Sequence, residues 1–477
     1  MTFNSLAYLF FLPFVSLVYF LLGNKWRGWW LLVCSYIFYM YWRWEYGALM
    51  LFSTVVTFFA ALGIQQSSTL AVRRRWLLLG LATDLAMLLF FKYAYFFATN
   101  IQQLGALFGW AIPIFQHSFL LPVGISFYTF QSIGYTIDVY KQRITAETKL
   151  QNYALFISFF PQLVAGPIES AGHLLPQLKR PHRFDWQRLI SGGQLIVWGL
   201  FKKVVVADNI ADYVNLVFNN LHLHSGFTLI LAMYLFVYQV YCDFSGYSDI
   251  AVGSARILGI NLMLNFDRPF LARSYADLWQ RWHISLTHWM RQYVYIPLGG
   301  SHTSRWRWYC NIMIVYLLVG LWHGAAWTFV GFGFLHGITI VLALLTQPLR
   351  KRFTNTIGLH KYPKIDTLID QFFTLSLFAF NCIIFRCSSL TDWWYIVTHT
   401  LSGTNISDTY APLVPLTLIA PILLLFLWIQ SFQTTGSYSP FEQLQKYTWR
   451  WIIYLVLLFA ILLLGNQMGN TFFYFQF

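Results

Sequence analysis

The amino-acid sequence predicts an all-α polytopic membrane protein with about 11 transmembrane helices, plus re-entrant and interfacial helices. Of its 477 residues, 58% are hydrophobic and only 10% are charged, whereas about 25% of residues are charged in soluble proteins. A helix needs about 20 mostly apolar residues to cross the hydrocarbon core. Apolar runs near that length recur along the whole chain, at residues 6–22, 47–64, 76–98, 229–241, 309–345, 368–385, 413–429 and 451–464.

Positive charge next to the first apolar run predicts the orientation of the chain. The run has no basic residues before it and no small-residue cleavage site, so it differs from a cleavable signal peptide. Lys25 and Arg27 follow it, and the cluster Arg73-Arg74-Arg75 comes two spans later. Because basic loops stay in the cytoplasm, we expect both clusters to lie inside and the N-terminus to lie outside.

The excess of basic over acidic residues does not indicate nucleic-acid binding. Its formal charge of +14 comes from 31 basic and 17 acidic residues, and in a membrane protein such an excess reflects orientation and attraction to anionic lipids. The cysteines have neither metal-ligand spacing nor a disulfide pattern, so we expect no metal site. They are Cys34, Cys242, Cys310, Cys382 and Cys387.

The chain divides into three predicted parts. Residues 1–100 form N-terminal transmembrane helices, residues 101–345 form a core with re-entrant segments, and residues 346–477 form C-terminal transmembrane helices. In the core, "LPVGISFYTFQ" and "FFPQLVAGPIE" interrupt apolar stretches with Gly, Pro and Gln, as helices do when they line a cavity or lie buried in protein. Asp243 and Asp249 lie beside apolar runs, which is costly unless the carboxylates are paired.

The stretch "SYADLWQRWHISLTHWMRQYVYIPLGG" predicts one amphipathic cytoplasmic helix of about five turns. Ser274 and Asp277 form a capping box at its start, and His283 lies beside its apolar face. An interfacial helix with a packing histidine is an alternative explanation of this stretch. The apolar face comprises Trp279, Trp282, Leu286, Trp289 and Tyr293, and the opposite polar stripe comprises Arg281, Ser285, His288 and Gln292.

His323 is an ionisable residue inside the apolar stretch "LVGLWHGAAW". If a helix begins near Tyr309, His323 lies roughly 21 Å further along it, past the middle of a hydrocarbon core about 30 Å thick. Burying an imidazole there costs a few kcal/mol unless it is paired or hydrated. His323 is therefore a functional candidate, whereas His336 is expected to be structural. The run is too long for one span, and the expected places for a bend are Gly324, Gly331 and Gly333.

Several motifs in a fixed order resemble the membrane-bound O-acyltransferases, and within them the bacterial branch that acetylates alginate or peptidoglycan or transfers D-alanine to teichoic acids. "RPFLARSYADLWQRWHISLTHWMRQYVYIPLGG" precedes "GLWHGAAWTFVGFGFLHG". The resemblance extends to "LPVGISFYTFQSIGYTIDVY", "FFPQLVAGPI", "YCDFSGYSDIAVG" and the terminal "GNTFFYFQF". Each motif alone is modest, but their combination is specific.

This resemblance implies a helical bundle around a central tunnel, which an acyl donor enters from the cytoplasm and an acceptor enters from the other side. The essential histidine of the family matches His323, and its second characteristic position matches His283. The "YVYIPLGG" stretch favours the acetylating members over the D-alanyl ones. We therefore expect acetyl-coenzyme A as the donor and an extracytoplasmic polysaccharide of the alginate, peptidoglycan or cellulose type as the acceptor. An extracytoplasmic SGNH-like partner is also expected, at the bacterial inner membrane.

The residues themselves fit this chemistry. Acyl transfer from a thioester to a hydroxyl needs a base near neutral pH, and histidine has an unperturbed pKa of about 6.5. Four arginines of the predicted cytoplasmic stretch are candidates for the phosphates of acetyl-coenzyme A, although the orientation bias alone would also place arginines there. They are Arg281, Arg291, Arg305 and Arg307.

Two other classes of function remain open from the sequence. A proton-coupled transporter or channel would also place a histidine and carboxylates at membrane depth, and it would move its solute unmodified. A scaffold that only recruits an extracytoplasmic acetyltransferase would not need the two histidines, and both are present.

Overall fold

A computed structural model describes residues 1–111, 122–164, 166–403, 413–444, 446, 448–466 and 472, and within them it contains helices and no β-strand. Six of the described helices are long and apolar enough to cross a membrane. Three further apolar helices are shorter, at Leu6–Leu21, Leu416–Gln430 and Arg450–Leu464. The all-helical prediction is confirmed for these residues, whereas the count of about 11 spans is not confirmed.

The helices are numbered in chain order. The first group is α1 (Leu6–Leu21), α2 (Asn24–Met40), α3 (Trp44–Gln66), α4 (Leu70–Leu107), α5 (Ile125–Tyr140), α6 (Leu150–Ser158), α7 (Phe160–Leu163), α8 (Ala171–Lys179), α9 (Trp186–Asn219) and α10 (Phe227–Ile257). The second group is α11 (Tyr275–Arg281), α12 (Ile284–Met290), α13 (Arg305–His323), α14 (Trp327–Leu345), α15 (Gln347–Thr356), α16 (Pro363–Cys382), α17 (Leu390–His399), α18 (Leu413–Gln430), α19 (Phe441–Leu444) and α20 (Arg450–Leu464).

The chain forms two compact units. The first comprises Met1–Ile196 and Ile250–Met263, and the second comprises Val197–Asp249 and Leu264–Phe477. The three-part functional division of the sequence remains a prediction. Both histidines of interest, His283 and His323, belong to the second unit.

The first unit contains a buried polar cluster and broken helices. The carboxylate of Asp84 on α4 is buried and accepts hydrogen bonds from the hydroxyls of Ser53 and Ser132 on two neighbouring helices. The chain enters α5 at Gly124, whose φ of 77° favours glycine. Phe159 then separates the short helices α6 and α7. The interrupted segments predicted from the Gly- and Pro-containing stretches are therefore present.

The second unit contains a buried ionic cluster at a π-helical segment of α9, Phe201–Ala207. Lys203 forms ion pairs with Asp208 at 2.8 Å and with Asp243 at 2.6 Å. Lys202 pairs with Asp249 at 2.8 Å. Because buried charges are tolerated when they are paired, this arrangement resolves the cost expected for the two aspartates of α10.

Of the terminal stretch "GNTFFYFQF", residues 469–471 and 473–477 lie outside the described residues. The ring of Phe472 stacks on Tyr247 at 4.2 Å in the second unit.

Candidate active site

A helical hairpin places His323 at the end of a helix. His323 is the last residue of α13, and the next residue, Gly324, has extended backbone angles. The chain turns over the following residues and enters α14 at Trp327. The bend predicted at Gly324 is therefore confirmed, whereas Gly331 and Gly333 lie inside α14 and do not bend it.

Small residues allow the two helices of this hairpin to approach closely. A Cβ atom on Gly320 would lie 2.2 Å from the carbonyl oxygen of Phe329, and one on Gly333 would lie 2.4 Å from that of Tyr316. A Cβ atom on Gly324 would lie 2.1 Å from the ring of Phe329. Close packing of this kind is the usual role of glycine between membrane helices, and here it determines where the imidazole of His323 lies.

Aromatic rings surround His323 on three sides. The ring centroids of Trp322, Phe385 and Phe332 lie 4.9, 5.1 and 5.5 Å from that of the imidazole. His323 is 6% exposed and borders a cavity of about 20 Å³, which is enough for about one water molecule. The residues that line the cavity are Phe236, Val237, Val240, Trp282, His323, Phe332, Phe378, Cys382 and Phe385.

The prediction of one continuous amphipathic helix through His283 is wrong. The capping interaction is present, since the hydroxyl of Ser274 accepts from the backbone N–H of Asp277, but α11 ends at Arg281. His283 has a φ of 45° and α12 begins after it. The helix breaks because the N–H of Ile284 donates to the backbone carbonyl of Asn265 at 2.9 Å, outside the helix.

Asn265 also fixes the imidazole of His283. Its side-chain oxygen accepts from the backbone N–H of Ser285 at 3.3 Å and from the hydroxyl of Ser285 at 2.9 Å. The same oxygen lies 3.1 Å from Nδ1 of His283. An amide oxygen only accepts hydrogen bonds, so Nδ1 carries the proton and Nε2 carries a lone pair.

The Nε2 atom of His283 is buried and has no hydrogen-bond partner among the described residues. His283 lies outside the six candidate spans, and burial lowers its pKa from 6.5 to about 3. The imidazole is therefore neutral at physiological pH. A neutral ring with a buried, unused lone pair is able to accept a hydrogen bond from a reactant.

One indole lies beside both histidines. The ring of Trp322 is 5.6 Å from that of His283 and 4.9 Å from that of His323. Trp282, which directly precedes His283, lines the cavity of His323. The structure thus brings the two predicted histidines into one region of the second unit.

His336 is held by a separate hydrogen-bond network. It is fully buried, and its Nδ1 lies 2.7 Å from the hydroxyl of Tyr275, which also accepts from the side-chain amide of Asn381 at 2.7 Å. Its Nε2 lies 3.9 Å from the sulfur of Cys382. Both ring nitrogens of His336 thus have neighbours with which they can form hydrogen bonds, and its structural role stays a prediction.

The four candidate arginines lie away from the cavity wall. Arg281 is half-buried and forms an ion pair with Asp277 at 2.7 Å, whereas Arg291, Arg305 and Arg307 are exposed. None of the four is among the described residues that line the cavity. His288 is also exposed.

Sequence reasoning missed Asn265 and most of the cavity wall. Asn265 is 18 residues before His283, and its only signal in the sequence is that it is an amide in the stretch "NFDRPF" between apolar segments. Phe332 comes from α14, whereas Phe378 and Phe385 come from α16 and the 3₁₀ turn that continues it. All three look like ordinary apolar residues in the sequence. In the part of the chain that the structure describes, no group of three or more His, Cys, Asp or Glu side chains is placed to hold a metal ion.

Comparisons with known proteins agree with the sequence motifs. The membrane-bound O-acyltransferase family matches residues 145–390, a range that contains both histidines. The "Probable alginate O-acetylase AlgI" of Pseudomonas aeruginosa is 34% identical over 91% of this chain and 82% of that protein. The peptidoglycan O-acetyltransferase of Helicobacter pylori is 34% identical over 81% of this chain and 77% of its own. A teichoic acid D-alanyltransferase of Streptococcus thermophilus is 27% identical over 57% of this chain and 70% of its own.

Proposed function

The chain belongs to the membrane-bound O-acyltransferase family and is a multi-pass membrane acyltransferase, and we propose that it transfers acetyl groups from cytoplasmic acetyl-coenzyme A across the bacterial inner membrane. The final acceptor in this proposal is an extracytoplasmic polysaccharide of the alginate, peptidoglycan or cellulose type. The observation that carries the proposal is the position of His323, which borders an apolar cavity at the turn of a close-packed hairpin.

In the proposed reaction His323 is the catalytic base. An acceptor hydroxyl attacks the thioester carbonyl carbon, and the imidazole of His323 takes the hydroxyl proton as the new C–O bond forms. The C–S bond then breaks, and the coenzyme thiolate takes the proton from the imidazolium. Enclosure by Trp322, Phe332 and Phe385 excludes bulk water, which protects the thioester from hydrolysis.

We assign His283 a second catalytic role. Its Nε2 lone pair is directed by the hydrogen bond that Nδ1 donates to Asn265. A neutral imidazole held in this tautomer accepts a hydrogen bond from a second hydroxyl of the acceptor, next to the one that His323 deprotonates, and orients the acceptor toward the carbonyl carbon. Orientation of two reactants lowers the barrier because their loss of freedom precedes the reaction.

The donor and the partner are inferred from charge and chemistry. Arg291, Arg305 and Arg307 are exposed and are the best placed of the four arginines to bind the phosphates of acetyl-coenzyme A. Arg281 already has a carboxylate partner. The basic residues that follow α1 support a periplasmic N-terminus, and an SGNH-like extracytoplasmic partner would pass the acetyl group on to the polysaccharide.

Labelled acetyl-coenzyme A tests this function directly. The protein is reconstituted in proteoliposomes with an SGNH-like partner and a polysaccharide or oligosaccharide acceptor on one side and the donor on the other. His323→Ala is expected to lower transfer by about 10²- to 10⁴-fold, as loss of a general base does. His302→Ala is the matched control, because His302 is exposed in the loop before α13. Full transfer by a correctly folded His323→Ala protein would refute the proposed role.

A further inference from the structure

We propose that Phe332 and Phe385 limit the transferred group to a short, uncharged acyl chain. The inference rests on the proposed function, because it takes the cavity beside His323 as the place where the acyl group lies. It concerns the residues that select this group.

The two phenylalanines form a wall directly beside the imidazole. Phe332 comes from α14, and Phe385 ends the 3₁₀ turn Ile383–Phe385 after α16. Their rings present edges to His323 at 5.5 and 5.1 Å and contact each other at 5.2 Å. The ring of Phe329 also packs against that of Phe385, with centroids 4.8 Å apart, so a displacement of Phe385 would disturb a further aromatic contact.

The remaining space is small. A reactive carbonyl carbon lies about 3–3.5 Å from the atom that attacks it, and its hydroxyl must lie within hydrogen-bond distance of the imidazole. The methyl group of an acetyl chain then points into the cavity. Because the open volume is about 20 Å³, or about one water molecule, each additional methylene requires Phe332, Phe385 or another lining side chain such as Trp282 to move.

The cavity also disfavours an acyl chain that carries a charge. Among the described residues, its lining contains apolar and aromatic side chains, one cysteine and His323, and it contains no carboxylate. An ammonium group on an aminoacyl chain would be buried without an ionic partner, which costs several kcal/mol. The structure therefore favours a neutral acyl group over an aminoacyl group, although a D-alanyltransferase is among the similar proteins.

The expected preference for acetyl over propionyl follows from the cost of placing one additional methylene group in the cavity. Hydrophobic pockets discriminate against one additional methylene by about 10- to 200-fold. We expect acetyl-coenzyme A to be preferred over propionyl-coenzyme A within this range. Butyryl-coenzyme A and β-alanyl-coenzyme A have nearly the same shape and differ in charge, so their comparison isolates the effect of the ammonium group.

The test compares these four donors with the full-length wild-type chain, Phe385→Ala, Phe385→Leu and Phe332→Leu. Each variant that enlarges the cavity is expected to reduce the preference for acetyl over propionyl to a few-fold, and to accept butyryl but not β-alanyl. The leucine variants remove less volume, so they preserve the fold if the alanine variant does not. Phe372→Ala is the matched control, because Phe372 lies on α16 and is 61% exposed.

The outcomes separate the inference from the function on which it rests. Transfer of acetyl and propionyl at equal rates by the wild type overturns the inference alone. So does unchanged selectivity in active Phe385→Leu and Phe332→Leu variants, or transfer of β-alanyl as fast as butyryl. Absence of His323-dependent transfer with every donor overturns the proposed function.

Discussion

The two histidines lie close together but are held in different ways. His323 ends a helix, borders a cavity and is bordered by three aromatic rings. His283 lies in a left-handed backbone position between two short helices, and Asn265 anchors its Nδ1. One imidazole is accessible from a cavity, and the other has a defined tautomer.

This difference suggests a division of roles, in which His323 transfers the proton and His283 orients a reactant. A base that takes and returns a proton must reach the reactants, and His323 has that access. A group that orients a reactant needs a fixed direction, and the hydrogen bond from Nδ1 gives His283 that direction. The left-handed backbone of His283 costs of order 1–3 kcal/mol, and the hydrogen bonds from Ile284, His283 and Ser285 to Asn265 offset that cost.

The largest expected effect is the loss of acetyl transfer when both histidines are replaced in one double variant. His323→Ala and His283→Ala are each expected to reduce transfer, and the double variant is expected to be no slower than the slower single variant. Residues that act on the same transition state are strongly non-additive. Rates are measured with labelled acetyl-coenzyme A. If the two reductions multiply, the histidines act independently and the proposed division is wrong.

The next effect is a loss of folding stability at acidic pH, which arises because His283 is buried. The unfolded chain binds a proton at this residue below pH about 6.5, whereas the folded protein does so only near pH 3 because burial lowers the pKa to about 3. The unfolded state therefore binds more protons between these values, and stability falls as the pH falls from about 6.5 toward 3. At pH 5 the expected loss is about 2 kcal/mol relative to neutral pH.

Thermal unfolding in detergent at pH 5 and pH 7.5 measures this loss. His283→Gln is expected to reduce the difference between the two pH values, because glutamine does not titrate. His302→Gln is the control, because His302 is exposed in the loop before α13 and lies outside the buried site. An equal difference in His283→Gln and wild type would mean that His283 is not the titrating group.

The smallest expected effect is on Asn265, which acts through His283. Asn265→Ala is expected to slow transfer by about 10-fold, since a lost buried hydrogen bond costs about 1–3 kcal/mol. Asn265→Asp places a carboxylate beside Nδ1 and raises the pKa of His283. The acidic limb of the pH–rate profile is then expected to move to higher pH. A profile that does not move in this variant would contradict the positioning role.

Much of the fold class and of the proposed function could be predicted from the sequence, because both depend on composition and local motifs. The all-helical membrane class follows from apolar length, and the chemistry follows from histidines in specific motifs. A break at Gly324 was also predictable, because the apolar run 309–345 is too long for one span and Gly324 is one of the three glycines at which a bend was expected. The break at His283 was not predictable, since helical periodicity continues through it and the competing acceptor, Asn265, lies elsewhere in the chain.

The sequence by itself determined that this protein is a helical membrane acyltransferase with two motif histidines, because apolar length and ordered motifs are local properties. Only the tertiary structure decided which tautomer His283 adopts, which rings enclose His323 and how small the adjoining cavity is. These properties depend on contacts between residues far apart in the chain, such as Asn265 with His283 and Phe332 with Phe385. Packing and hydrogen bonding between distant segments select them, and no local pattern of residues encodes that choice.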